Sequence, residues 1–140
     1  MPLPSVLVTH PRERLATYFG EQALANLKQV ACVKLNPDAH DWSTAELMDA
    51  AQGCEVLIAY RQTALDADFF AAVPGLLAAV RCAVDIRTID VAAASREGVL
   101  VTRASPGFGP SVAEWVMGVM IDLSRHITAA TAAYWQGQSV

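Results

Sequence analysis

Five short apolar runs, each followed by a helical pattern, constrain this chain more than anything else in it. They are Ser5–Thr9, Gln29–Leu35, Glu55–Ala59, Leu77–Cys82 and Val99–Thr102. Four of the five are nearly continuous apolar runs rather than alternating ones. That is the mark of parallel strands buried on both faces. Between them lie helix start and stop signals. Pro11 suits a first helical turn, and Leu15, Phe19, Ala23 and Leu27 repeat at four-residue spacing, predicting one helix to about Leu27. Ser43-Thr44-Ala45-Glu46 reads as a capping box opening a helix that Gly53 closes. Asp66 and Asp90 cap two more, stopped by Pro74-Gly75 and by Gly98.

Right-handed crossovers between such strands give a flavodoxin-like five-stranded parallel sheet, order 2-1-3-4-5, with helices on both faces. At 140 residues the chain is long enough to bury a core without staples.

The last segment differs. Val99–Thr102 runs into the loop Ala104–Pro110, and an apolar helix is predicted from there to about Trp135. Ser111-Val112-Ala113-Glu114 reads as a second capping box. Val112, Val116, Val119, Leu123, Ile127, Ala130 and Tyr134 form one helical stripe, and Trp115, Met117, Met120 and Ile121 lie off it. The first turns are thus apolar nearly all round. At about 1.5 Å per residue the helix would reach about 37 Å, longer than a small sheet. A second covering surface is expected at Trp115, Met117, Met120 and Ile121: another domain, or a second copy in a homodimer built through this helix. The hydrophobic share of 54% against 17% charged points the same way.

Composition excludes several functions. A net charge of −4 with no basic patch argues against nucleic acid. No apolar stretch approaches the roughly 20 residues of a membrane span, and the N-terminus lacks the basic region of a signal peptide, so a cytoplasmic protein is expected. Cys32, Cys54 and Cys82 show no metal spacing and read as small buried thiols; His10, His40 and His126 have no ligand spacing either.

Gly107-Phe108-Gly109 follows a strand and opens a helix, as a dinucleotide loop does. It fails at the third glycine, where Val112 stands, and no acidic strand end follows about 20 residues on. A hinge is the better reading. No serine sits in a Gly-x-Ser-x-Gly elbow. Two loops at strand C-terminal ends remain, on the edge where α/β sheets bind ligands. Tyr60-Arg61-Gln62-Thr63 follows the third strand and Ala83-Val84-Asp85-Ile86-Arg87 the fourth. Arg61 and Arg87 can hold a carboxylate or phosphate, or can pair with Asp66 and Asp85 as surface ion pairs.

Several elements, in order, resemble the D-isomer-specific 2-hydroxyacid dehydrogenases. They are Leu57–Arg61, Pro74-Gly75-Leu76, Ile89-Asp90 with its Ala-rich helix, Arg96-Glu97-Gly98-Val99, Ser105-Pro106-Gly107, Ser111-Val112-Ala113-Glu114 and Tyr134-Trp135-Gln136-Gly137. The resemblance implies a substrate domain over residues 1–109 and an inter-domain or dimerisation helix over 110–137. It implies an NAD- or NADP-dependent oxidoreductase acting on a D-2-hydroxy acid or its 2-oxo acid. The family's cofactor-binding domain and its catalytic Arg, Glu and His have no counterpart here, so this chain alone is expected to be inactive and to bind no NAD. Backbone amides at Val84 and Asp85 would hold the substrate carboxylate, with Tyr60 and Arg61 facing it and Arg87 beside it. The family loop is glycine-rich and followed by Asp-Asn; here Ala83, Asp85, Arg87 and Thr88 stand there, and Arg103 replaces a common Asn. An Asp beside the substrate carboxylate repels it unless Arg87 or Arg61 neutralises the pair. The alternative is a stand-alone flavodoxin-like module that binds or senses a small carboxylate without chemistry.

Overall fold

The computed structural model describes residues 2–138. They fall into two compact units, one running to Ser105 and the other beginning at Pro106.

The first unit carries β1 (Ser5–Val8), α1 (Arg12–Tyr18), α2 (Glu21–Val30), β2 (Cys32–Leu35), α3 (Thr44–Ala51), β3 (Val56–Ala59), α4 (Ala67–Ala72), β4 (Ala78–Arg81), α5 (Val91–Arg96) and β5 (Leu100–Arg103). All strands pair in parallel in the order β2-β1-β3-β4-β5, as the alternating pattern predicts. The strand side chains sort by parity. Leu7, Leu57, Ala59 and Ala79 face a cluster closed by Leu47 and Ala51 of α3, Phe69 and Phe70 of α4, and Ala93 and Ala94 of α5. Val6 and Val8 face the other way, against Leu15, Phe19 and Leu27. Each buried Phe contributes about 1.5–3 kcal/mol of apolar transfer, so the first cluster carries most of the unit's stability. The second face is less complete: Leu100, on that side of β5, is 63% exposed.

Local signals placed the caps. Ser43 and Glu46 form the reciprocal capping box. Asp66 accepts from the Phe69 amide and Asp90 from the Ala93 amide, each at 2.9 Å.

Four expectations need correction. The first helix is two helices. Gly20, at φ +85°, ends α1 and starts α2, a conformation that costs glycine little. The four-residue apolar repeat had the packed face right and the continuity wrong. The last helix is also two, α6 (Gly109–Arg125) and α7 (Ile127–Trp135). His126 is left-handed at φ +55° between them. The Asp122 carboxylate holds that break, accepting from the Thr128 amide at 2.6 Å and its hydroxyl at 2.8 Å. Ser111 caps nothing: α6 begins two residues earlier, with Phe108 before it and Pro110 in its first turn. Of the cysteines, only Cys54 is buried; Cys32 sits on the edge strand β2 and Cys82 just past β4, both exposed. No described helix is long and apolar enough to cross a membrane.

In the second unit, Trp115, Met117, Met120 and Ile121 are 52–68% exposed. No residue of α6 or α7 is buried.

The two capping-box sequences make opposite predictions. Ser43→Ala should lower stability by about 1 kcal/mol, read from the urea midpoint. Ser111→Ala should change it by less than about 0.5 kcal/mol.

Candidate functional site

The carboxyl ends of β1, β3 and β4 bring the candidate loops to one edge of the sheet. Their scaffold is polar and buried. Thr9, just after β1, shares a 2.7 Å hydrogen bond with Thr63, and its hydroxyl accepts from the Tyr60 amide at 2.9 Å. Asn36, after β2, donates to the Thr9 and His40 carbonyls. These contacts fix the start of the β3 loop against β1 and β2.

Arg81 fixes it against β4. As the last residue of β4 it shares the inward parity of Ala79 and is only 2% exposed. Its guanidinium donates to the Tyr60 carbonyl, to the Thr88 hydroxyl and, from Nε, to the Asp85 carbonyl at 3.2 Å. Thr88 passes the chain on, donating to the Thr63 carbonyl at 3.0 Å. One side chain thus ties the loop after β3 to the loop after β4. No carboxylate pairs with it among the described residues. Burial lowers its pKa, and the charge of Asp85 opposes that shift. A buried cation held by neutral acceptors leaves positive potential at this edge. Sequence reading passed over Arg81, although its spacing from Ala79 already put it on the core face.

The β4 loop is further tied down. Arg103 donates to the Val84 carbonyl at 3.0 Å, and the Ala104 amide to the Ala83 carbonyl. The amides of Val84 and Asp85 find no acceptor among the described residues. The Asp85 carboxylate turns back on its own loop, accepting from the Arg87 amide at 2.9 Å and pairing with the Arg87 guanidinium at 2.7 Å. Those bonds hold the Asp85 carboxyl far below the usual carboxylate range, and raise Arg87 in turn. Of the two neutralising partners considered for Asp85, Arg87 is the one used. Both side chains are exposed, so the pair adds little stability.

Tyr60 and Arg61 part company with this loop. The Tyr60 ring is buried against His10 (centroids 5.1 Å apart) and Tyr18 (5.5 Å). Burial first, then Tyr18, pushes its phenol up. Arg61 is exposed and forms no ion pair with Asp66 or any other acid among the described residues. Tyr60 and Arg61 line a hollow with Arg14, Tyr18, His40 and Asp41, and none of Val84, Asp85 and Arg87 does.

α6 starts at Gly109 with Val112 inside it, and α7 rather than a strand follows among the described residues. Among the described residues no three His, Cys, Asp or Glu converge as metal ligands.

The comparisons match this architecture. Residues 6–136 fit the family model of the D-isomer specific 2-hydroxyacid dehydrogenase catalytic domain. This chain belongs to that family. It is 30% identical over 133 residues to D-3-phosphoglycerate dehydrogenase of Methanocaldococcus jannaschii, covering 95% of this chain and 24% of that protein. It is 33% identical over 93 residues to hydroxypyruvate reductase of Thermotoga maritima, covering 66% of this chain and 30% of that protein. Among solved structures, a 2-hydroxyacid dehydrogenase of Ketogulonicigenium vulgare superposes with TM-score 0.69 at 19% identity, over 98% of this chain and 41% of that one. An acyclic imino acid reductase crystallised with NADPH and D-Arg gives 0.72 at 15% identity, over 97% and 42%. These structures share the fold. The chain spans about a quarter of the length of the curated relatives it matches.

His10 gives the site a pH dependence. It is 2% exposed, its Nδ1 has no hydrogen-bond partner among the described residues, and burial lowers its pKa from 6.5 to about 4. The ring is therefore neutral at neutral pH. Because the folded value lies below the unfolded one, its contribution is complete above pH 6.5 and is lost as the pH falls to about 4. Across that window the wild type should lose about 3 kcal/mol more than His10→Phe, read as the difference between their urea midpoints.

Proposed function

We propose that this chain is the substrate-binding part of an NAD- or NADP-dependent oxidoreductase that interconverts a D-2-hydroxy acid and its 2-oxo acid. The observation that carries the reading is the pair of unclaimed amides at Val84 and Asp85, on a loop anchored from below by the buried Arg81 cation. Two adjacent N–H donors over a buried positive charge suit a carboxylate. The names of the relatives, a 3-phosphoglycerate dehydrogenase and a hydroxypyruvate reductase, point to short 2-hydroxy and 2-oxo acids as the substrate class.

The described residues do not fit a nicotinamide dinucleotide, since Val112 stands where the third glycine would be. In this reading the cofactor and the proton-transferring groups belong to a separate domain. This chain contributes the carboxylate hold and one wall of the cleft, and by itself it turns nothing over. Asp85 is held by Arg87, which removes most of the repulsion it would exert on an incoming carboxylate. The exposed face of Trp115, Met117, Met120 and Ile121 is where a second copy docks in a homodimer.

Two outcomes check the proposal. In an NMR titration with D-lactate or oxalate, the Val84 and Asp85 amides should shift and saturate, and Asp85→Gly should bind about tenfold more tightly, because it frees the Arg87 guanidinium to pair with the ligand. Shifts confined to other loops would contradict the carboxylate hold. For the homodimer, sedimentation should show a dimer that Met120→Glu converts to monomer. A wild-type monomer at all concentrations would contradict it.

A further inference from the structure

The break between α6 and α7 runs against its own sequence. From Val119 to Trp135 the chain holds no glycine and no proline, and Ala129, Ala130, Ala132 and Ala133 follow the break, all strong helix formers. Yet His126 turns left-handed, at φ +55° and ψ +35°, the one non-glycine residue with positive φ among the described residues. A Cβ makes that conformation costly, because it crowds the following carbonyl. It also interrupts the bonds between amides and carbonyls four residues apart that sustain a helix.

The Asp122 carboxylate offsets that cost. One of its oxygens accepts from the Thr128 amide at 2.6 Å and the other from the Thr128 hydroxyl at 2.8 Å. Bonds to an ionised group are stronger than neutral ones, and these two hold the Asp122 carboxyl below its ordinary value. Packing adds little to the bend. No residue of α6 or α7 is buried, and a hollow of about 350 Å³ lies at the break between Leu123, His126, Thr128 and Ala132.

We propose that Asp122 is the latch of a hinge, holding α6 and α7 in a bent form, and that its release turns His126 right-handed and joins them into one straight helix over residues 109–135. On release the Thr128 amide exchanges the Asp122 carboxylate for the Ser124 carbonyl, and the Thr128 hydroxyl returns to water. The single helix expected from the apolar spacing is this straight form. In it the apolar stripe from Val112 to Tyr134 runs unbroken. In the bent form the stripe is cut at His126, so the latch decides whether the segment presents one apolar face or two. The hinge goes beyond the substrate-binding reading and does not rest on it.

The rival role for Asp122 is a plain cap on α7. A helix of nine residues is marginal without support, so loss of a mere cap melts it, whereas loss of a latch lengthens it. NMR on the 140-residue chain separates the two. Asp122→Ala should move the bent-to-straight ratio about tenfold toward straight, the worth of one charged hydrogen bond. The His126 Cα signal should move to its helical position, and nuclear Overhauser contacts should appear from the Ser124 Hα to the Ile127 amide and from the Arg125 Hα to the Thr128 amide. Asp122→Asn keeps an acceptor for the Thr128 amide and should stay bent. Adding His126→Gly to Asp122→Ala should move the ratio back toward bent, because glycine takes the left-handed conformation at little cost. Circular dichroism should show helix content rising in Asp122→Ala. If His126 stays left-handed in Asp122→Ala, or if Ile127–Trp135 lose their helical signals, the latch is wrong. It is equally wrong if the added glycine leaves the ratio unmoved. His126 and Thr128 are exposed and Asp122 half-buried, so the variants are expected to fold.

Discussion

A buried guanidinium without a carboxylate is an expensive thing to keep in a small domain. Arg81 is kept because neutral oxygens from two loops close around it: the Tyr60 and Asp85 carbonyls and the Thr88 hydroxyl. Each loop alone would leave the cation under-solvated, and without the cation each loop would leave buried acceptors unpaired. The carboxyl edge of β3 and β4 therefore orders as a unit. What that edge presents outward follows from it. The Val84 and Asp85 amides have no acceptor among the described residues, and the Tyr60 ring packs against His10 and Tyr18.

Much of the fold was legible because its determinants are local. The capped starts at Ser43, Asp66 and Asp90 each need only a side chain and an amide three residues on, and all three form. Strand order followed from alternation and crossover handedness. Continuity was less legible. A glycine inside an apolar repeat is tolerated or breaks the helix according to its φ, and at Gly20 it breaks. At His126 the break depends on Asp122 reaching Thr128, six residues on, which no single-residue propensity carries. Ser111 illustrates the converse: a good cap sequence is bypassed when Pro110 lets the helix start sooner.

The site was legible as loops and not as chemistry. Position relative to the strand ends picked out the two loops with Arg61 and Arg87, and the family resemblance added Tyr60, Val84 and Asp85. Which of them act together depended on side-chain direction. Arg87 is consumed by Asp85, Tyr60 is mainly a wall, and Arg61 faces Arg14 and Asp41 across a hollow that sequence spacing does not reveal. Arg81 was missed because an arginine at a strand end reads as a surface charge. Its inward parity was the available clue. On α6, Trp115, Met117, Met120 and Ile121 are exposed.

Amide hydrogen exchange on Arg81→Met tests the joint ordering of the two loops most directly. Methionine keeps the volume and removes every donor. Protection should fall together at Thr63 and at Ile89, whose amides bond to the Tyr60 and Ile86 carbonyls, while Leu7 and Leu57 in the central strands stay protected. If only one of the two loops loosened, or if both kept wild-type protection, Arg81 would not be the tie between them.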